Sequence, residues 1–203
     1  MQLIVISHPD TVVNEARIIN QLFETGLMRF HLRKPDWDEQ RVSGLLRQID
    51  ERYYPYIALH QHHHIAIDFA IRRLHYTERD RLATEQDKLA YQKGQGYVLS
   101  TSIHDIIEFS SLPPFDYTFF GPVFNSISKP GYQTKLTEDF RINRNNSQPK
   151  IIALGGVERS NLGKLKAMGF DGVAVLGTIW SDPAQAIINF DILREHLLIK
   201  NHA

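Results

Sequence analysis

The chain has 203 residues, with 23 basic and 23 acidic side chains and no formal net charge. That balance leaves no basic excess for nucleic acid and no like-charged tail. Cysteine is absent, which excludes disulfides, thiolate metal sites and cysteine nucleophiles and fits a reducing, cytoplasmic setting.

Read in chain order, short apolar runs alternate with amphipathic segments. Met1 leads almost directly into Leu3–Ile6, so neither a signal peptide nor, with no apolar run near about 18 residues, a membrane span is expected. After that first strand the pattern predicts strands at Met28–Arg33, Tyr56–His60, Arg73–Tyr76, Tyr97–Ser100, Tyr117–Phe120, Lys150–Leu154 and Gly172–Leu176. Helical stripes fall at Val12–Phe23 and Trp37–Ile49, then at Asn161–Met168 with Ser160 as its cap. A closing helix runs from about Pro183 to Leu198. Strand and helix alternating eight times predict an α/β fold, a single (β/α)8 TIM barrel over residues 1–203. Its loops must be short, since such barrels typically need about 250 residues. The long irregular stretch is 125–149.

Two runs near the end of the chain, Ile151-Ile-Ala-Leu-Gly-Gly-Val157 and Gly172-Val-Ala-Val-Leu-Gly-Thr-Ile179, each finish a buried strand at glycine just before a helix. Glycine lets main-chain amides approach phosphate oxygens, so the pair predicts a phosphate site after strands 7 and 8.

Chemistry in such a barrel gathers at the C-terminal strand ends. Those ends carry His31 and Arg33, His60 and Gln61, His75 to Asp80, Ser102 and His104, Gly121 to Lys129, Gly155-Gly156 and Gly177-Thr178. Cations, hydroxyls and imidazoles outnumber carboxylates, which suits a phosphorylated or diphosphorylated small molecule. The run His60, His62, His63, His64 points its members in different directions, and only His60 is expected in the pocket. Trp37 and Trp180 read as packing residues.

Gly121-Pro-Val-Phe-Asn-Ser-Ile-Ser-Lys129, followed by the two glycine turns, resembles thiamine-phosphate synthase (thiamine-phosphate pyrophosphorylase). Phe30-His-Leu-Arg33 and Ser100-Thr-Ser-Ile-His104 stand where that family has Val-Gln-Leu-Arg and Gly-Val-Ser-x-His. The resemblance covers nearly the whole chain. It implies a (β/α)8 enzyme joining hydroxymethylpyrimidine diphosphate to thiazole phosphate in thiamine biosynthesis, with Mg2+ on the departing diphosphate. By the same resemblance Ser126, Ser128, Gly155, Gly156, Leu176 and Gly177 would hold the thiazole phosphate. Lys129, Arg33 and Ser102 would face the diphosphate and act catalytically, with His31, His60 and His104 lining the substrates. Asp80 and Gln61 fall at the metal positions. The expected partners are small phosphorylated substrates, with no nucleic acid and no membrane; a homodimer stays open.

Departures cluster at the diphosphate end. Gln61 stands for an aspartate, Pro35 for a lysine, and Lys34, one position away, points to the other side of the strand. Two alternatives therefore stay open. One is a thiazole tautomerase-like isomerase, although the subfamily's histidine after the first glycine of this motif is Pro122 here. The other is a catalytically lapsed protein that binds thiamine phosphate or its thiazole precursor.

Overall fold

The computed structural model describes residues 1–112, 114–124, 136–137, 139–143 and 148–199. Eight parallel strands close into a barrel in chain order: β1 Gln2–Ile6, β2 Phe30–Leu32, β3 Ile57–Leu59, β4 Arg73–Tyr76, β5 Val98–Ile103, β6 Tyr117–Phe120, β7 Lys150–Leu154 and β8 Gly172–Val175. The last strand returns to the first, with Leu3 opposite Val173 and Ile4 opposite Ala174. Trp180 reinforces this seam by donating its indole N–H to the Ile6 carbonyl at 2.7 Å.

Strand alternation divides the core in two. Outward side chains such as Val5, Phe30, Leu59, Leu99, Ile151 and Val173 pack beneath the surrounding helices. Inward ones form a separate cluster of Ile4, Ile6, Tyr117, Phe119, Ile152 and Ala174, drawn from β1, β6, β7 and β8. From β2, β4 and β5 the barrel instead buries His31, His75 and Ser100. Half of the interior is thus apolar and half polar.

The helices are α1 Glu15–Glu24, α2 Glu39–Leu46, α3 Glu78–Ala83, α4 Gln86–Gly94, α5 Leu162–Ala167, α6 Gly177–Trp180 and α7 Ala186–Ile199. After β3 and β5 the crossovers shrink to 3-10 turns, His63–Ile67 and Ile106–Ser111. That economy lets 203 residues close the barrel. Among the described residues no helix is long and apolar enough to cross a membrane.

Several boundaries move from their expected places. The first helix starts at Glu15 rather than Val12, because Asn14 takes a left-handed φ of 58°. The second begins after Asp38, whose side chain accepts from the Arg41 amide. Met28 is exposed and precedes β2 instead of joining it. β5 runs on to Ile103, since its polar Ser100 and Ser102 face polar partners across the interior. Ser160 is not the cap of α5. Glu158 and Asn161 form a reciprocal capping box around a 3-10 turn that contains Ser160 and leads into α5.

Candidate active site

The turns after β7 and β8 meet. Gly155 and Gly156 take left-handed φ values of 97° and 64°, a conformation that favours glycine. An added Cβ at Gly155 would also press on Pro122 at 3.0 Å. Beyond them the Val157 carbonyl accepts a 2.9 Å hydrogen bond from the hydroxyl of Thr178, at the start of α6. Asn161 fixes the first turn by donating to the Gly156 carbonyl, and Asn189 fixes the second by donating to that of Thr178. The amides of Gly177 and Thr178 open a helix and have no intrahelical acceptor. Gly156, Leu176, Gly177 and Thr178 are all partly accessible, so no bulky side chain among the described residues plugs the turns.

The end of β6 packs against the first of these turns. Val123 donates its amide to the Leu154 carbonyl and Phe124 to that of Gly155. A side chain at Gly121 would collide with the Leu154 carbonyl. Ser126, Ser128 and Lys129 lie outside the described residues, as does most of the expected loop 125–149.

Within the mouth, three imidazoles stack into the polar half of the barrel. Nδ1 of His31 lies 2.9 Å from Nε2 of His60, and Nε2 of His31 lies 2.8 Å from the Tyr117 hydroxyl. His75 meets the Ser100 hydroxyl at Nδ1 and the Ser102 hydroxyl at Nε2, both at 3.0 Å. The His60 and His75 rings stack with centroids 4.0 Å apart, and Phe119 stacks on the other side of His75. Burial, followed by the neighbouring imidazoles, pushes His31 and His60 well below the ordinary histidine range. Burial, with His63 and Arg33 adding to it, brings His75 down to about 3. All three are neutral at physiological pH. Nδ1 of His60 is buried and unpaired among the described residues.

Arg33 follows two residues after His31, on the same face of the strand. Ser7 holds its main chain, accepting from the amide and donating to the carbonyl at 2.8 Å each. Its guanidinium is half-buried and has no ion-pair partner among the described residues, while its charge reaches His60 and His75. Lys34 points the other way. It is fully buried, donating to Glu15 at 2.6 Å and to the Asp10 carbonyl at 2.8 Å beneath the Trp37 ring.

Other expected residues are committed elsewhere. The Gln61 amide group donates to the Lys34 carbonyl and accepts from the Lys34 amide. Asp80 sits in the first turn of α3, bonded to the Thr77 hydroxyl and paired with Arg79. His104 is exposed; its Nδ1–H donates to the Gly121 carbonyl. His62 and His63 bond main-chain carbonyls, and His64 pairs with Glu39 at the surface.

The barrel thus brings together His31, His60 and Ser102 in one group, and Gly155, Gly156, Leu176 and Gly177 in another. Sequence reading placed His75 at a strand end but gave it no role, and it did not bring Ser100 or Tyr117 into the first group. The available signal was a period of two: register sets His75 opposite Ser100, and Ser100 opposite Tyr117, on inward positions.

Comparison with known proteins gives a consistent result. A family model described as thiamine monophosphate synthase matches residues 2–179. A thiamine-phosphate synthase of Lysinibacillus sphaericus (strain C3-41) is 25% identical over 188 residues, covering 86% of this chain and 83% of the relative. The crystal structure of thiamine phosphate pyrophosphorylase from Bacteroides thetaiotaomicron superposes with a TM-score of 0.77 at 28% identity, covering 97% of this chain and 98% of that one. The thiamine phosphate pyrophosphorylase of Pyrococcus furiosus shares the fold, with a TM-score of 0.72 at 15% identity over 96% of this chain and 94% of that one.

Proposed function

Because the chain belongs to the thiamine monophosphate synthase family, we propose that it is a thiamine-phosphate synthase. It joins hydroxymethylpyrimidine diphosphate to thiazole phosphate and releases pyrophosphate. The observation that carries the reading is the hydrogen-bonded union of the two glycine turns, in a barrel whose mouth also offers Arg33.

In this reading the thiazole phosphate dianion lies against main-chain amides of Gly156, Gly177 and Thr178, two of which belong to glycines without a Cβ. Anchoring the phosphate aims the thiazole ring nitrogen at the pyrimidine methylene carbon. The methylene C–O bond breaks, its electron pair leaves with diphosphate, and the ring nitrogen supplies the pair for the new C–N bond. Developing charge on the diphosphate is met by the Arg33 guanidinium. The electron-rich pyrimidine spreads the positive charge left on the carbon. No proton is abstracted in this step, so the neutral imidazoles of His31 and His60 serve as hydrogen-bond partners, not bases.

The side chains present do not fit a Mg2+ ion held between protein carboxylates. Mg2+ prefers hard oxygen ligands, the Gln61 amide group is engaged by the Lys34 main chain, and Asp80 is held by Thr77 and Arg79.

The test is an assay with both substrates. Pyrophosphate and thiamine phosphate should appear together. Binding of thiazole phosphate without product would make the protein a binder, and turnover of thiazole carboxylate phosphate alone would make it a tautomerase.

A further inference from the structure

We propose that His31, His60 and His75 form a binding site for one divalent transition-metal ion of the zinc class, held by three imidazole nitrogens. One nitrogen of each residue lies within 4.8 Å of the others, and all three rings are buried. The site goes beyond the synthase reading and does not depend on it.

The three nitrogens lie within 4.8 Å of one another, and side-chain rotation must draw them within about 4.2 Å, twice a zinc–nitrogen bond, to share one ion. Zinc–nitrogen bonds run about 2.0–2.1 Å, so nitrogens 2.9 Å apart can share one ion at an angle of about 90°. His75 approaches from the neighbouring strand, its ring stacked on that of His60.

Proton placement also agrees. In the metal-free molecule one proton must lie between Nδ1 of His31 and Nε2 of His60, since two lone pairs at that distance repel. When a metal ion binds, that proton moves to the far nitrogen of the ring that carries it, so each neutral ring then holds its one hydrogen on the nitrogen away from the ion. For His31 that is Nε2, which then donates to the Tyr117 hydroxyl. For His75 it is Nδ1, which donates to the Ser100 hydroxyl. Such outer partners orient metal-bound imidazoles in general. The Ser102 hydroxyl, now on Nε2 of His75, turns aside as the ion takes that lone pair.

Burial holds all three rings neutral, the form that binds metal. Nitrogen donors select zinc or cobalt over magnesium. Three imidazoles also leave a fourth position for water or a ligand atom.

The experiment uses the full chain, dialysed against a chelator and then titrated with Zn2+ by calorimetry and with Co2+ by visible absorption, without substrates. Stoichiometric binding with the intense visible bands of four-coordinate Co2+ is expected. His31→Gln and His60→Asn should each weaken binding at least about 100-fold, in line with loss of a metal ligand, while His64→Gln at the surface should bind as the parent does. Absence of stoichiometric binding, a six-coordinate Co2+ spectrum, or unchanged affinity in His31→Gln would overturn the site. Should a variant fail to fold, the Co2+ spectrum of the unaltered protein decides alone. Pyrophosphate release is measured separately, so loss of one reading leaves the other standing.

Discussion

The Thr178 hydroxyl donates to the Val157 carbonyl at 2.9 Å, joining the turn after β7 to the turn after β8. Two loops that follow different strands therefore behave as one unit. Replacing Thr178 with valine keeps the branching and removes the donor. A hydrogen bond of this kind is worth about 1 kcal/mol net, so thiazole phosphate should bind roughly 5- to 10-fold more weakly by calorimetry. Unchanged affinity would mean that the glycines alone set the cradle.

Gly177→Asp tests the anion directly. Among the described residues an added Cβ there meets only the Ser181 hydroxyl at 3.7 Å, so the variant has room to fold. Its carboxylate would face the incoming dianion, and affinity for thiazole phosphate should drop at least about 30-fold, as expected for unscreened like charges at close range. A variant that binds as the parent does would remove this turn from the substrate site.

Arg33→Gln separates the two substrates. A charged hydrogen bond is worth about 1.5–3 kcal/mol, so kcat/KM for the pyrimidine diphosphate should fall roughly 10- to 100-fold while affinity for thiazole phosphate holds. Equal losses for both substrates would point to a general disturbance of the mouth through the Ser7 contacts.

Stability should depend on pH through the buried imidazoles. An unfolded histidine takes its proton near 6.5, whereas His75 in the folded chain takes one near 3, and His31 and His60 lie well below their ordinary range. Between those values the unfolded chain binds more protons, so stability is full above pH 6.5 and declines as pH falls toward 3. His75 alone removes up to about 1.4 kcal/mol per pH unit in that window. Urea midpoints from pH 7 down to about pH 4 check the slope, and His75→Gln should flatten it. A midpoint that stays level would contradict the burial argument.

Lys34→Met leaves Glu15 buried without its cation. Breaking one side of a buried pair typically costs about 3–5 kcal/mol, and here one Glu15 oxygen already lacks a partner among the described residues. The midpoint of denaturant unfolding should fall accordingly, with most of the loss recovered when Glu15→Gln is added. A neutral result for Lys34→Met would show that Glu15 takes up a proton at little cost.

The barrel was readable because parallel strands covered on both faces announce themselves as apolar runs, and Lys150–Leu154 and Tyr117–Phe120 appear at the expected bounds. Helix starts were harder. Asn14 and the Glu158–Asn161 box depend on local dihedral angles and reciprocal bonds that periodicity does not encode. In the candidate site, glycine runs marked the paired turns, and strand ends marked His31, His60 and Arg33. His75 was read at a strand end without a role and Tyr117 was not singled out, because neither breaks its strand's pattern; only closure of the barrel turns them toward His31. The Gln61 amide group was unreadable for another reason: its partner is the main chain of Lys34, which carries no side-chain signature.

The seam between β1 and β8 has a consequence for biosynthesis. Gln2 pairs with Gly172, and Trp180 caps Ile6, so the first strand made must wait for nearly the last. Until residue 180 has emerged, a growing chain holds an open sheet with two unsatisfied borders, the arrangement most apt to pair with a neighbour. Translation speed over the codons of β7 and β8 should therefore govern yield more than any comparable change over β1 and β2.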